Sequence, residues 1–223
     1  MTRNELCGMF DHTNLKAYAS GEDITKLCRE AADNHFAAVA INPSVAKLCR
    51  ELLEGTGVAV GSVVGFPLGA TPIEVKEFET RKAIEDGADE IDYVLNIGEV
   101  KNGNREYIRE EMQRLTAICR ENGAVIKVIF ETCYLTEEEI AWIAGIAAEV
   151  KPDFVKTSTG FGTGGARPEH VRLMKSIVGD EIKVKAAGGI HTWKECEAMI
   201  AAGAERIGTS SAFQILEGFD AAQ

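Results

Sequence analysis

The run DFVKTSTGFGTGG, at residues 153–165, decides the fold of this chain. It begins with a short apolar segment of the length expected for a buried parallel strand, and it continues into a polar, glycine-rich turn. The run IKVKAAGG, at residues 182–189, repeats this pattern about 30 residues later, again with a lysine near the end of the apolar segment. Two such units in succession predict parallel strands joined by helices.

Short apolar runs followed by charged amphipathic segments recur along the whole chain. The runs lie at residues 7–11, 36–41, 58–64, 90–95, 124–130, 153–156, 182–186 and 205–209. Eight strands that alternate with helices predict an α/β fold of the (β/α)8 TIM-barrel type. An open, doubly wound sheet shows the same alternation and remains an alternative on the pattern alone. No linker separates the units, so residues 1–223 are predicted to form a single domain.

Several positions carry signals for the beginning or end of a helix. Thr71 followed by Pro72 predicts a helix cap with proline at the first helical position. Thr136 with a glutamate three residues later predicts a capping box. Glycines stand shortly before three of the predicted strands, where the C-terminal ends of helices belong, at Gly87, Gly123 and Gly203.

Composition argues against several classes of function. The net charge of −11 disfavours nucleic acid and anionic membranes as partners, because both require a basic surface. No apolar run is long enough to cross a bilayer, and the first residues do not resemble a signal peptide, so we expect a cytoplasmic protein. The six cysteines and four histidines form no metal-ligand motif, so we expect reduced thiols, no metal and no cofactor.

Two lysines, Lys156 and Lys185, lie near the ends of the sixth and seventh predicted strands, where barrels of this type carry their active sites. Side chains alternate between the two faces of a strand, so outward-facing Val155, Val184 and Ala186 would point both amines into the barrel. Adjacent parallel strands are about 4.8 Å apart, and two ammonium groups at that separation lower each other's proton affinity. A lysine in this position can be a free amine near neutral pH and attack a carbonyl group.

Asp92, in the run EIDYVLNIG, has the strand parity of an inward-facing residue. We expect it to pair with Lys185, which would keep that lysine cationic while Lys156 stays neutral, and to transfer protons through water. The alternative interpretation is that all three side chains form structural ion pairs without a catalytic part. The sequence leaves both interpretations open.

Glycine-rich turns follow the seventh and eighth predicted strands. Gly188 and Gly189 follow the seventh, and Gly208-Thr209-Ser210-Ser211 follows the eighth. Backbone N–H groups in such turns form anion sites, and barrel enzymes commonly bind phosphate in these two loops. The turn at residues 160–165 is either a third wall of that site or a flexible loop.

Seven runs, in order, carry a resemblance to a known family. They are DHTNL at 11–15, VVGFPLGAT at 63–71, EIDYVLNIG at 90–98, KVIFET at 127–132, FVKTSTGFGTGGA at 154–166, VKAAGGIHT at 184–192 and RIGTSS at 206–211. Together they resemble the deoxyribose-phosphate aldolase family, from about residue 6 to residue 216. The resemblance implies a (β/α)8 barrel that reversibly cleaves 2-deoxy-D-ribose 5-phosphate to glyceraldehyde 3-phosphate and acetaldehyde.

The resemblance also implies roles for individual residues. Lys156 matches the lysine that forms the Schiff base, and Lys185 matches the second lysine that perturbs it. Asp92 matches the acid/base that works with a bound water, and Asp11 matches an aspartate near the second lysine. The positions expected to bind the phosphate are Gly160, Gly188, Gly189, His191, Gly208, Ser210 and Ser211.

Some positions depart from the family pattern. His191 stands where many members carry arginine, and Phe161 stands where some carry lysine. A mostly uncharged imidazole lacks the forked donors of a guanidinium group, so we expect a phosphate pocket with few cations, which Arg167 would compensate.

The expected partner is a small phosphorylated aldehyde sugar, and the chain is expected to form a homo-oligomer, a dimer or a tetramer. Two other functions remain open at this point. One is a different Schiff-base barrel, such as a transaldolase-like or keto-acid aldolase, and the other is a phosphosugar-binding barrel without activity.

Overall fold

A computed structural model describes residues 1–222, and Gln223, the last residue of the predicted domain, lies outside the described part. Eight parallel strands close into a barrel in the order β1-β2-β3-β4-β5-β6-β7-β8. The closed barrel confirms the predicted TIM-barrel fold and excludes the open sheet. The strands are β1 (Phe10–Asn14), β2 (Ala38–Ile41), β3 (Ala59–Val64), β4 (Glu90–Val94), β5 (Val125–Ile129), β6 (Phe154–Lys156), β7 (Lys183–Ala187) and β8 (Arg206–Thr209).

Helices surround the barrel and bury its outer face in an apolar layer. Within residues 1–222 they are α1 (Arg3–Cys7), α2 (Gly21–Asp33), α3 (Ala46–Leu53), α4 (Ile73–Glu85), α5 (Ile97–Lys101), α6 (Arg105–Glu121), α7 (Glu137–Val150), α8 (Pro168–Val178), α9 (Trp193–Ala201) and α10 (Ala212–Asp220). None of these helices combines the length and the apolar character that crossing a membrane requires.

Seven of the eight predicted strands are found within two residues of their predicted ends, and the first is misplaced. The predicted strand 7–11 is wrong because Cys7 is the last residue of α1, and β1 begins only at Phe10. A capping box explains this helix. Thr2 Oγ1 accepts a hydrogen bond from the Glu5 N–H, and the Glu5 carboxylate accepts one from the Thr2 N–H.

The predicted helix caps have mixed outcomes. The capping box at Thr136 is confirmed, since its hydroxyl accepts from the N–H of Glu139 at 3.2 Å. The predicted cap at Thr71 is wrong, because Pro72 is itself the N-cap residue, with extended backbone (ψ 155°), and α4 begins at Ile73 without a side-chain cap.

The three predicted glycine caps are confirmed, since each glycine directly follows the C-cap residue of its helix. Gly87, Gly123 and Gly203 have φ values of 102°, 68° and 108°, and glycine adopts this left-handed region without the steric cost of a Cβ.

A buried ion pair links helices α4 and α6 to each other and to the end of β4. Lys76 Nζ lies 2.6 Å from Glu111 Oε1, and both side chains are fully buried. The same ammonium group donates to Val94 O at 2.7 Å, while the Glu111 carboxylate accepts from the Asn96 N–H at 3.0 Å. Lys76 Nζ also lies 5.9 Å from the ring centroid of Tyr93, which faces the helix layer as its strand parity predicts.

We predict that Lys76→Met lowers the free energy of unfolding by about 3–5 kcal/mol, because it leaves the Glu111 carboxylate buried without its partner. The double variant Lys76→Met/Glu111→Leu should recover part of this loss, since no isolated charge remains, although Val94 O and the Asn96 N–H lose their partners. Urea unfolding followed by circular dichroism measures both.

The matched control is Lys82→Met, which removes a half-exposed lysine that pairs with Asp86 on the same helix. We expect a change within about 0.5 kcal/mol. A single variant at Lys76 as stable as this control would contradict the role given to the buried pair.

Candidate active site

Lys156 and Lys185 are direct neighbours inside the barrel, as their strand parity predicts. They are register partners on β6 and β7. Each ammonium group lies 2.7 Å from Oδ2 of Asp92, so a single carboxylate oxygen bridges the two lysines. Lys185 also donates to Oδ2 of Asp11, from the first strand. The four predicted catalytic residues therefore form one connected cluster, and all of them are buried.

Three further charged side chains complete this cluster. Lys127 Nζ lies 2.6 Å from Asp92 Oδ1 and 2.5 Å from Glu90 Oε2. Arg206 Nη2 lies 2.7 Å from Glu90 Oε1, and Arg206 Nη1 lies 3.3 Å from Asp11 Oδ1. We call the seven side chains the charge cluster. Its members are Asp11, Glu90, Asp92, Lys127, Lys156, Lys185 and Arg206.

Sequence reasoning assigned no role to Lys127, to Glu90 or to Arg206. Strand parity with Asp92 was a signal for Glu90. The inward positions of Lys127 and Arg206 follow from the structure, in which they are the register partners of Asp92 and Lys185.

The charge cluster balances when Lys156 is neutral. It contains three carboxylates and four basic groups, and every carboxylate contacts at least two of those basic groups. Burial favours an arrangement without net charge, because an unpaired charge is costly away from water. Lys156 is the member that loses its proton most easily, since its amine contacts only one carboxylate.

The pKa values follow this arrangement. Burial lowers the pKa of Lys156 to about 8, and Lys185 and Lys127 add to the decrease while Asp92 opposes it. Burial would also lower the pKa of Lys127, but the carboxylates of Asp92, Glu90 and Asp11 outweigh it and raise that pKa. Burial would raise the pKa of Asp92, but its three lysine partners hold that pKa well below the usual range. Desolvation is thus the first cause of a reactive Lys156, and the predicted like-charge effect is secondary.

A cavity of about 480 Å³ opens above Lys156 at the C-terminal ends of the strands. The predicted residues that line it are Lys156, Gly160, Gly188, Gly189, His191, Gly208 and Ser210. Lys185, Asp92 and Asp11 lie beneath it in the charge cluster. Ser211 is not among the lining residues, and its hydroxyl lies 3.0 Å from Nδ1 of His191.

Close backbone contact shapes the glycine-rich wall of this cavity. A Cβ on Gly165 would lie 2.1 Å from the carbonyl oxygen of Gly188, so the loops after β6 and β7 pack directly against each other. Gly160, Gly188 and Gly189 also have φ values of 88°, 85° and 72°, which favour glycine. The loop at residues 160–165 is therefore packed against the loop after β7, and its first two residues line the cavity.

Glu131 holds the turn that follows Lys156, and sequence reasoning gave it no role. Its backbone is left-handed, with a φ of 57°, and its carboxylate is buried. Both carboxylate oxygens lie 3.3 Å from the N–H of Thr159, whose hydroxyl also donates to Oε2. Thr159 lines the cavity, so this contact fixes the wall beside the reactive amine.

The predicted compensating cation, Arg167, is not among the residues that line the cavity. Its guanidinium group lies 3.6 Å from Glu169 and its side chain is exposed. Phe161 does line the cavity, and its ring packs edge-on against Phe66 with centroids 5.4 Å apart. The departures at Phe161 and His191 thus leave an apolar ring and an imidazole at the mouth of the barrel.

A buried amine with a pKa near 8, beneath a cavity in the mouth of a (β/α)8 barrel, defines a class of protein: enzymes that attack a carbonyl compound with a lysine. Comparison with known proteins gives the family. Residues 7–217 match the description DeoC/LacD family aldolase. The chain belongs to this family of aldolases, which are carbon–carbon lyases.

Individual relatives agree with this assignment. The chain is 56% identical to the deoxyribose-phosphate aldolase of Thermococcus gammatolerans, over 98% of each chain. It is 53% identical to that of Lactobacillus acidophilus, over 97% of this chain and 91% of the relative. Among solved structures, it resembles the tetrameric deoxyribose phosphate aldolase of Aeropyrum pernix with a TM-score of 0.92 and 34% identity, over 100% of this chain and 94% of that one.

We predict that the rate of imine formation rises with pH through about 8 and levels off above it, because only the free amine of Lys156 attacks a carbonyl. Lys185→Leu removes a neighbouring cation and leaves Asp92 free to stabilise the ammonium form of Lys156. The midpoint should therefore move to higher pH by about one unit, and turnover should fall. Borohydride-trapped adduct, measured as a function of pH, gives the midpoint.

Lys194→Leu, at an exposed lysine, is the matched control and should leave the midpoint unchanged. If Lys185→Leu also leaves it unchanged, Lys185 does not tune the amine.

Proposed function

We propose that this chain reversibly cleaves 2-deoxy-D-ribose 5-phosphate to D-glyceraldehyde 3-phosphate and acetaldehyde through a Schiff base on Lys156. The observation that carries the proposal is the buried Lys156 amine, with a pKa near 8, at the base of the cavity. The names of the relatives support the choice of substrate.

The reaction follows from the chemistry of the amine. The free amine of Lys156 adds to the aldehyde carbon C1 of the open-chain sugar, and loss of water gives an iminium ion. Removal of the proton from the C3 hydroxyl turns C3 into the aldehyde carbon of D-glyceraldehyde 3-phosphate, which leaves as the C2–C3 bond breaks. The electron pair of that bond moves into the iminium to give a neutral enamine. Protonation at C2 and hydrolysis release acetaldehyde and restore the amine. The iminium accepts electrons that would otherwise form a bare carbanion.

Asp92 and Lys185 are proposed to handle the protons of this sequence. Asp92 lies against the Lys156 amine and is ionised, so it can accept a proton through a water molecule in the cavity. The protonated carboxyl can then return this proton through water to C2 of the enamine, and Lys185 orients the carboxyl because it donates to the same oxygen. Asp11 is proposed to hold Lys185 in place through their direct ion pair.

The phosphate is proposed to bind at the glycine-rich wall. The residues are Gly160, Gly188, Gly189, His191, Gly208, Ser210 and Ser211. Support comes from their common place around the cavity and from their backbone donors. The N–H groups of Gly189 and Ser210 donate to no acceptor within residues 1–222, so they are available to an anion.

The reaction is proposed to need no metal or other cofactor. Within residues 1–222 no group of three or more His, Cys, Asp or Glu side chains is placed to hold a metal ion. The carboxylates nearest the reactive amine already accept from lysine and arginine, which is a poor donor set for a cation. The chain is also proposed to act as a single domain, since its eight strands close one barrel.

The chain is proposed to work in the cytoplasm, which its six unpaired cysteines support.

The test of the proposed function is borohydride reduction in the presence of deoxyribose 5-phosphate, followed by mass spectrometry of the peptides. We expect the reduced adduct on the peptide that contains Lys156, and loss of activity by on the order of 10⁴-fold in Lys156→Met. Pyruvate serves as the control donor, because a keto-acid aldolase would trap it instead. An adduct on another lysine, or none, would overturn the proposal.

We also propose that the chain forms a homo-oligomer, a dimer or a tetramer, since a solved relative at 34% identity is described as tetrameric. Light scattering on the eluting protein at micromolar concentration should give two or four times the 24.1 kDa of one chain. A mass of one chain at that concentration would contradict this.

A further inference from the structure

The mouth of the cavity must hold a group that carries nearly two negative charges, and its glycine-rich wall supplies only neutral donors. The requirement for a cation is stronger because carboxylates also line this cavity. Asp23 and Glu30 both lie along it, and an anion entering the cavity approaches them. Glu30 lies 3.7 Å from Lys26 and 2.8 Å from His12 Nε2. Asp23 accepts hydrogen bonds from Ser20, and the positive charges of Lys16 and Lys26 also favour its ionised form.

Most basic groups near the cavity already have a partner or another role. Lys156 must be neutral to react, and Lys185 lies below the cavity in the charge cluster. Lys26 is engaged with Glu30, and Arg167 with Glu169 outside the lining. His191 shares its Nδ1 with Ser211.

Lys16 lines the same cavity and forms no ion pair with any residue in the range 1–222. It follows β1, whose neighbour in the barrel is β8, with Asp11 opposite Gly208 and His12 opposite Thr209. The loop that carries Lys16 therefore lies beside the loop that carries Ser210.

Two contacts place Lys16 at the rim of the cavity. Its backbone N–H donates to the side-chain oxygen of Asn14 at 3.3 Å, which fixes the turn after β1. Its ammonium group lies 5.9 Å from the ring centroid of Tyr18, within the range of a cation–π contact. Lys16 is exposed, so its ammonium group lies near the entrance with hydrogen-bonding capacity left for a ligand.

We infer that Lys16 is the cation that recognises the phosphate of the substrate and makes the enzyme selective for phosphorylated sugars. The inference rests on the proposed function, because it assigns the phosphate of the proposed substrate to the same cavity. Lys16 does not contact the charge cluster, so its effect falls on binding and not on the chemistry at Lys156.

The experiment compares Lys16→Met with the wild type on deoxyribose 5-phosphate and on free deoxyribose. A charged hydrogen bond lost to the phosphate should lower the ratio of the two kcat/KM values by about 10- to 100-fold, mainly through KM of the phosphorylated sugar. Inhibition by inorganic phosphate should weaken in parallel. Lys16→Arg retains the charge and should keep most of the ratio.

Lys47→Met is the matched control, because it makes the same change at an exposed lysine that, like Lys16, forms no ion pair within residues 1–222 but does not line the cavity. We expect the ratio to change less than about threefold. An unchanged ratio in Lys16→Met, or an equal loss on both sugars, would overturn the inference. Borohydride trapping with free deoxyribose separates this result from the proposed function: an adduct on Lys156 in the wild type upholds the Schiff base whatever the ratio shows.

Discussion

The rest of this structure depends on one constraint: the buried amine of Lys156 must be able to lose its proton near neutral pH. A buried amine can lose its proton under two conditions. No carboxylate may stabilise its ammonium form too strongly, and the loss of its charge must not leave another buried charge unpaired. The charge cluster meets both conditions. Asp92 contacts Lys156 but is shared with Lys127 and Lys185, so its stabilisation of the Lys156 ammonium is divided among three amines.

The same cluster joins strands that are not neighbours in the barrel. Arg206 on β8 reaches Glu90 on β4 at 2.7 Å, and Lys185 on β7 reaches Asp92 on β4 at the same distance. These contacts cross the interior, where many barrels place layers of branched apolar side chains. Buried ion pairs contribute little net stability, but a wrong strand register would leave several charges without partners. The strand register of the barrel and the positions of the side chains around Lys156 therefore depend on the same contacts.

The sequence predicted the fold and the proximity of Lys156, Lys185 and Asp92 well, because both depend on local periodicity. Apolar runs of strand length and alternating parity were enough to place Lys156 beside Lys185, and parity also placed Asp92 inside. The first strand was misplaced because its apolar run continues from a capped helix, and the Thr2–Glu5 box lay outside the run considered. Strand parity also points Glu90 inward, but its contact with Arg206 could not be predicted, because it crosses the barrel between residues 116 positions apart in sequence.

In the proposed reaction the two ends of the substrate impose opposite electrostatic requirements, and the proposed positions of the amine and the phosphate are separated in space. Near Lys156, an additional unpaired cation would disturb the balance between the three carboxylates and the basic groups that hold the amine close to neutrality. At the phosphate, a cation is needed, because N–H groups alone do not match two negative charges. A barrel resolves this by placing the charge cluster on strands and the ligand-binding groups on the loops above them. Arginine and lysine at the positions of His191 and Phe161 would meet the need from the loops after β7 and β6. With an imidazole and an apolar ring there instead, the loop after β1 is the place from which a cation reaches the mouth without entering the cluster, and Lys16 lies on that loop.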